Sequence, residues 1–126
     1  MGFIITDLAD DKKGLSVNFW NWHPTVELVK SLGVVDPKRI ELMHQQCVGT
    51  VVTQEEARSI AQGLRQGILA KLQAGERVRL DLSTTSTPDD GTMHRGADAD
   101  KNYSATSEWL ARFAQFCSEC HGFQVL

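Results

Sequence analysis

Gly2-Phe-Ile-Ile-Thr-Asp-Leu8, Asp10-Asp-Lys-Lys-Gly14 and Leu15-Ser-Val-Asn-Phe-Trp20 follow one another near the start of the chain, and their reading decides the fold class. The first stretch is short, apolar and β-branched, the composition of a strand. The second is a turn signal in which Gly14 is free to take a positive φ. The third alternates, sending Leu15, Val17 and Phe19 to one face and Trp20 to the other. Together they predict an antiparallel hairpin. Added to the helical periods downstream, the hairpin makes the protein α+β.

Pro24 suits a first helical turn and Gly33 a C-terminal cap, which predicts a helix over 24–32 with Val26, Val29 and Leu32 as its stripe. Asp36-Pro37 repeats the start signal for a helix carrying Ile40, Met43, His44 and Cys47 on one side. Residues 48–52 break that period and read as extended. Thr53-Gln-Glu-Glu56 is a capping box. It opens the longest period of the chain, a helix over 54–74 with Ala57, Ile60, Ala61, Leu64, Ile68 and Leu72 at helical spacing, closed by Gly75.

Arg77-Val-Arg-Leu-Asp-Leu82 alternates charged and apolar residues, as a half-buried strand does. Residues 83–103 have no period and are rich in Ser, Thr, Asp and Gly, so they read as a long polar loop, an unusual length inside a domain. Ser104 or Ser107 caps a last helix to Cys120, with Trp109, Phe113, Phe116 and Cys120 on its apolar face and Leu110 and Cys117 beside them. Gly122-Phe123 ends it, and Phe123–Leu126 adds a closing strand. The expected architecture is one domain, 1–126. A small antiparallel sheet from the hairpin, residues 77–82 and the C-terminus is packed by about four helices.

Composition bounds the function. With 126 residues, 41% hydrophobic and 23% charged, the chain belongs with ordinary globular domains. The longest uncharged runs, 14–26 and 42–54, are 13 residues each, short of the roughly 18 a membrane-spanning helix needs. Met1-Gly-Phe-Ile-Ile-Thr-Asp7 lacks the basic head of a signal peptide, which points to the cytoplasm. Residues 1–36 hold five acids and three bases, 37–82 five acids and seven bases, and 83–126 six acids and three bases. No segment carries the basic excess that displaces counterions from phosphates or anionic lipid, so neither nucleic acid nor a membrane is an expected partner.

Phe19, Trp20 and Trp22, the helix after Thr53-Gln-Glu-Glu-Ala57, and the ending Trp109-Leu110…Phe113…Phe116-Cys117…Gly122-Phe123 resemble a set of small uncharacterised bacterial proteins. These matching motifs are structural. That family has no assigned activity, so the resemblance implies no functional residue.

Several constellations bear on chemistry. Cys117-Ser-Glu-Cys120-His121 has the C-x-x-C-H spacing of covalent haem attachment. It lies at the end of an amphipathic helix, where two core cysteines at i and i+3 are the plainer reading. His44-x-x-Cys47 and Cys117-x-x-Cys120 could together supply a Cys3His zinc site, with His94 in the long loop as a further ligand. Their placement at helix C-termini disfavours thiolates there, and the same dipole weakens Cys47 with His44 as a nucleophilic pair. Asp98-Ala-Asp-Lys-Asn102 begins like a calcium loop. It fails at Tyr103, where glycine is needed, and at Trp109, where glutamate is needed. Trp20 and Trp22 point the same way from an extended segment, as a binding platform or as anchors for the next helix.

No set of residues converges on a catalytic or metal site, and no cofactor is expected. The reading that follows is a non-catalytic interaction or regulatory protein of the bacterial cytoplasm, with a protein partner or self-association. The alternative is a zinc protein or small enzyme using His44, Cys47, Cys117 and Cys120.

Overall fold

The computed structural model describes residues 2–87 and 91–126. Strands β1 (Gly2–Asp7) and β2 (Gly14–Asn18) make the expected hairpin, with Phe3 opposite Val17 and Ile5 opposite Leu15. Gly14 serves it differently from the expectation, since its φ is not positive. A Cβ there would stand 2.4 Å from the Ile5 carbonyl oxygen, so the close approach of the two backbones demands glycine.

The strand ends at Asn18, whose Oδ1 accepts the Asn21 amide at 2.9 Å and caps helix α1 (Phe19–Leu32). Helix therefore replaces the extended structure expected over 19–23, and Pro24 lies inside it rather than at its start. Two residues on a helix lie about 200° apart. Trp20 and Trp22 consequently diverge instead of pointing together: Trp22 is fully buried and Trp20 is 37% exposed.

Helix α2 (Pro37–Met43) opens on Asp36 as expected but stops one turn early. His44 caps it, and Cys47, at φ 63°, lies outside any helix. Strand β3 (Thr50–Val52) leads to α3 (Gln54–Gln66), where both halves of the Thr53–Glu56 capping box are formed. The helix expected to reach residue 74 breaks at Gly67, whose φ of −97° and ψ of −106° leave the helical region, and a single turn follows as α4 (Ile68–Lys71). The last helix, α5 (Ser107–Glu119), is capped by Thr106 instead of either serine, and β7 (Phe123–Val125) follows it.

The strands divide into two antiparallel sheets, not one. The first runs β2-β1-β7-β3, with Ile5 opposite Val125 and Val52 opposite Phe123. Strand β4 (Arg77–Arg79) is shorter than the expected 77–82 and stays out of that sheet. It pairs instead with β5 (Thr84–Thr85) and β6 (Ser104–Thr106) in the order β5-β4-β6. Much of the loop expected over 83–103 is thereby built, since it contains β5 and a 3-10 segment over Gly96–Asn102.

The helices cover one face of the four-stranded sheet. Phe3, Ile5, Val52, Phe123 and Val125 point into the core, while Ile4 and Val51 face outward. Buried polar groups lock the layers together. Trp22 Nε1 donates to the Met43 carbonyl at 2.8 Å, and Trp109 Nε1 donates to Thr25 Oγ1 at 2.8 Å. Arg58 donates to the carbonyls of Cys117 and Cys120 at 2.8 and 2.7 Å, satisfying the open end of α5. Among the described residues no helix is long and apolar enough to cross a membrane.

Candidate functional site: a cationic cleft over the second sheet

Side chains alternate along a strand, so Arg77 and Arg79 share one face of β4 and Val78 takes the other. The register sets Arg77 opposite Thr106, Val78 opposite Ala105 and Arg79 opposite Ser104. Opposed residues share a face. Val78 and Ala105 are fully buried against the core, which leaves two guanidinium groups beside two hydroxyls on the outer face. Arg77 is fixed there. Its Nη1 donates to Ser104 Oγ at 2.8 Å and its Nη2 to the Thr87 carbonyl at 2.5 Å, while its buried Nε has no hydrogen-bond partner among the described residues.

Two walls rise over this floor. The first is the β2–α1 junction, where Asn21 Oδ1 accepts the Thr106 amide at 3.0 Å and Asn21 Nδ2 donates to Asn18 Oδ1 at 2.9 Å. The exposed Trp20 belongs to this wall, and its ring rests on Tyr103 at 5.0 Å between centroids. The second wall is the chain through Met93 and His94. Asn102 clasps it by accepting the His94 amide and donating to the His94 carbonyl, both at 2.8 Å.

Between the walls lies a cleft of about 660 Å³. Its described lining includes three bases, Arg77, Arg79 and Lys101, the last of them paired with Asp98 at 3.3 Å, in a chain whose net charge is −3. A concave surface with two guanidinium groups on its floor focuses its potential on an incoming anion.

The residues singled out in the sequence lie mostly elsewhere. His44 meets His23: their Nδ1 atoms are 2.7 Å apart and the rings stack at 4.9 Å. Such a contact requires one ring to donate and the other to accept, so the pair holds one proton between two nitrogens. Burial pushes both imidazoles below their ordinary range; for His23 the His44 charge adds to this, and Glu27 opposes it at both. Cys47 is exposed after α2, whereas Cys117 and Cys120 are buried and free. Burial pushes both of these thiols up, away from nucleophilic character.

His121, the last residue of the haem-like spacing, lies against the buried Asp7. Asp7 Oδ1 accepts the amides of Ala9 and His121 at 2.9 and 3.2 Å, and Oδ2 meets His121 Nδ1 at 3.4 Å. Burial alone would raise the Asp7 carboxyl, but these donors together hold it below its usual range. The structure does not support the zinc alternative. Among the described residues, no three His, Cys, Asp or Glu side chains group closely enough to hold a metal ion. Of all the residues singled out, Trp20, His94 and the Asp98–Asn102 stretch come to the cleft, Trp20, His94 and Asn102 by lining it and Asp98 by pairing with Lys101 at 3.3 Å. Arg77, Arg79, Asn18 and Asn21 were not singled out as functional, although the Arg-Val-Arg alternation was already a signal of a charged sheet face.

Set beside known protein families, curated proteins and solved structures, the chain matches none of them.

Proposed function

We propose that this protein is a non-catalytic interaction module that receives an anionic group of its partner in the cleft over the second sheet. One observation carries the reading: Arg77 and Arg79 stand side by side on the floor of the cleft with the hydroxyls of Ser104 and Thr106 opposite them, although acids outnumber bases in the chain by 16 to 13. The groups offered there are guanidinium, ammonium, amide and hydroxyl, which bind and orient an oxyanion. A regulatory role in the bacterial cytoplasm completes the proposal. Three free cysteines support a reducing compartment.

Calorimetric titration with inorganic phosphate and with an octaglutamate peptide tests it, at low and at high salt. At least one anion should bind, and more weakly as salt rises. Arg79→Glu should abolish binding, while Arg112→Glu, on the exposed face of α5 away from the cleft, should leave it intact. Equal losses in the two variants would refute the cleft as the site.

A further inference from the structure

We infer that the anionic ligand is a nucleoside monophosphate, with its phosphoryl group at Arg77 and Arg79 and its base on Trp20. This rests on the anion-binding reading and narrows it. The phosphoryl end follows from the floor of the cleft. A guanidinium fork matches paired phosphate oxygens, and two forks stand on one strand face, flanked by the hydroxyls of Ser104 and Thr106. Arg77 is already held by Ser104 and Thr87, so little side-chain freedom remains to be lost on binding.

The base end follows from apolar surface that a bare anion would leave unused. Trp20 is 37% exposed and Met93 is 57% exposed, and both line this cationic cleft. The Trp20 ring is braced from one side by Tyr103, the arrangement of a stacking platform. A cleft of about 660 Å³ lies within the roughly 300–1,000 Å³ typical of small-molecule sites. An acidic peptide would use the arginines and not the aromatic wall. Inorganic phosphate would use neither Trp20 nor Met93.

Calorimetric titration of the full chain with AMP, UMP, inorganic phosphate, adenosine and octaglutamate decides between these. The nucleotides should bind at least about tenfold more tightly than phosphate or adenosine, the scale of one base–aromatic stack. Trp20→Phe and Met93→Ser should each weaken the nucleotides and leave phosphate unchanged. Arg79→Gln should weaken nucleotides and phosphate together by about tenfold, the scale of one charge-assisted hydrogen bond. Melting curves confirm that each variant is folded, and Met93→Ser, at an exposed position, keeps the test open if Trp20→Phe is unstable. Nucleotide quenching of tryptophan emission, lost in Trp20→Phe, gives a second readout, because Trp22 and Trp109 are buried. Phosphate or octaglutamate binding as tightly as the nucleotides would overturn this inference and leave the anion-binding module standing. No binding of any anion would overturn both.

Discussion

Thr25 and Trp109 offer a direct measure of what ties α1 to α5. Both are buried, and the Thr25 hydroxyl has two jobs: it donates to the Asn21 carbonyl at 2.7 Å and accepts the Trp109 indole N–H at 2.8 Å. Thr25→Val keeps the shape and nearly the same helix propensity while removing the acceptor. An indole N–H left without a partner in the core costs about 1–3 kcal/mol. Trp109→Phe removes the donor and part of the ring, for a loss of about 2–3 kcal/mol from the smaller side chain and the missing bond together. In the double variant no indole remains to be orphaned, so most of the Thr25→Val penalty should vanish. The two changes should therefore be less than additive by about 1–2 kcal/mol. Urea titrations of the four proteins, followed by far-ultraviolet circular dichroism, yield this coupling without relying on tryptophan emission. Additivity within about 0.5 kcal/mol would mean that the indole is not bonded to Thr25.

Both imidazoles of the His23–His44 pair are held low by burial, with the His44 charge adding at His23, Lys30 adding at His44 and Glu27 opposing at both. The unfolded chain therefore protonates first, so stability is complete above about pH 6.5 and is lost as pH falls through the lower folded values. Melting curves from about pH 8 to pH 5 should show this fall, and replacing both histidines by glutamine should flatten it; an unchanged slope would refute the pairing. An aromatic disulfide reagent should titrate one thiol of the native protein, Cys47, and all three after unfolding; rapid reaction of Cys117 or Cys120 in the native protein would contradict their burial. Glu56 accepts the Thr53 amide at 3.0 Å and Arg39 Nη1 at 2.7 Å. Its replacement by alanine should cost about 1–2 kcal/mol in urea titration, and by glutamine less, because an amide oxygen still caps the helix.

Local signals were readable from residues alone. Thr53 and Glu56 announced α3, Asp36-Pro37 announced α2, and the stripe through Trp109, Phe113, Phe116 and Cys120 announced α5. The two helix starts are satisfied within a few residues of themselves, and the stripe is a period carried by one helix alone. Misreadings arose where two periods overlap or where distant chain decides. The alternation of Leu15, Val17 and Phe19 runs straight across Asn18, which stops the strand by capping α1. Period alone does not weigh that hydrogen bond. His44 and Cys47 continue the α2 spacing on paper, but the helix has ended before Cys47. The division into two sheets was hidden because β4 finds β6 more than twenty residues downstream, across a segment without any period. The cleft was hidden for the same reason. Its floor comes from residues 77–79 and 104–106, while its walls come from residues 18–21 and 91–102. The charged face of Arg77 and Arg79, the candidate platform at Trp20 and the candidate His94 are legible in the sequence; their meeting in one cleft is not.

The order β2-β1-β7-β3 places residues 123–125 between residues 2–7 and 50–52. During synthesis, then, β1 leaves the ribosome more than a hundred residues before β7, the strand that must lie beside it. Until Phe123 and Val125 emerge, β1 and β3 have no common neighbour, and Phe3, Ile5 and Val52 have only a partial surface to bury. Closing a loop of that length must precede any reward from the contacts it makes, which slows folding. A nascent chain halted before residue 123 should consequently hold a loose hairpin and separate helices, and should acquire its layered core in one late, cooperative step.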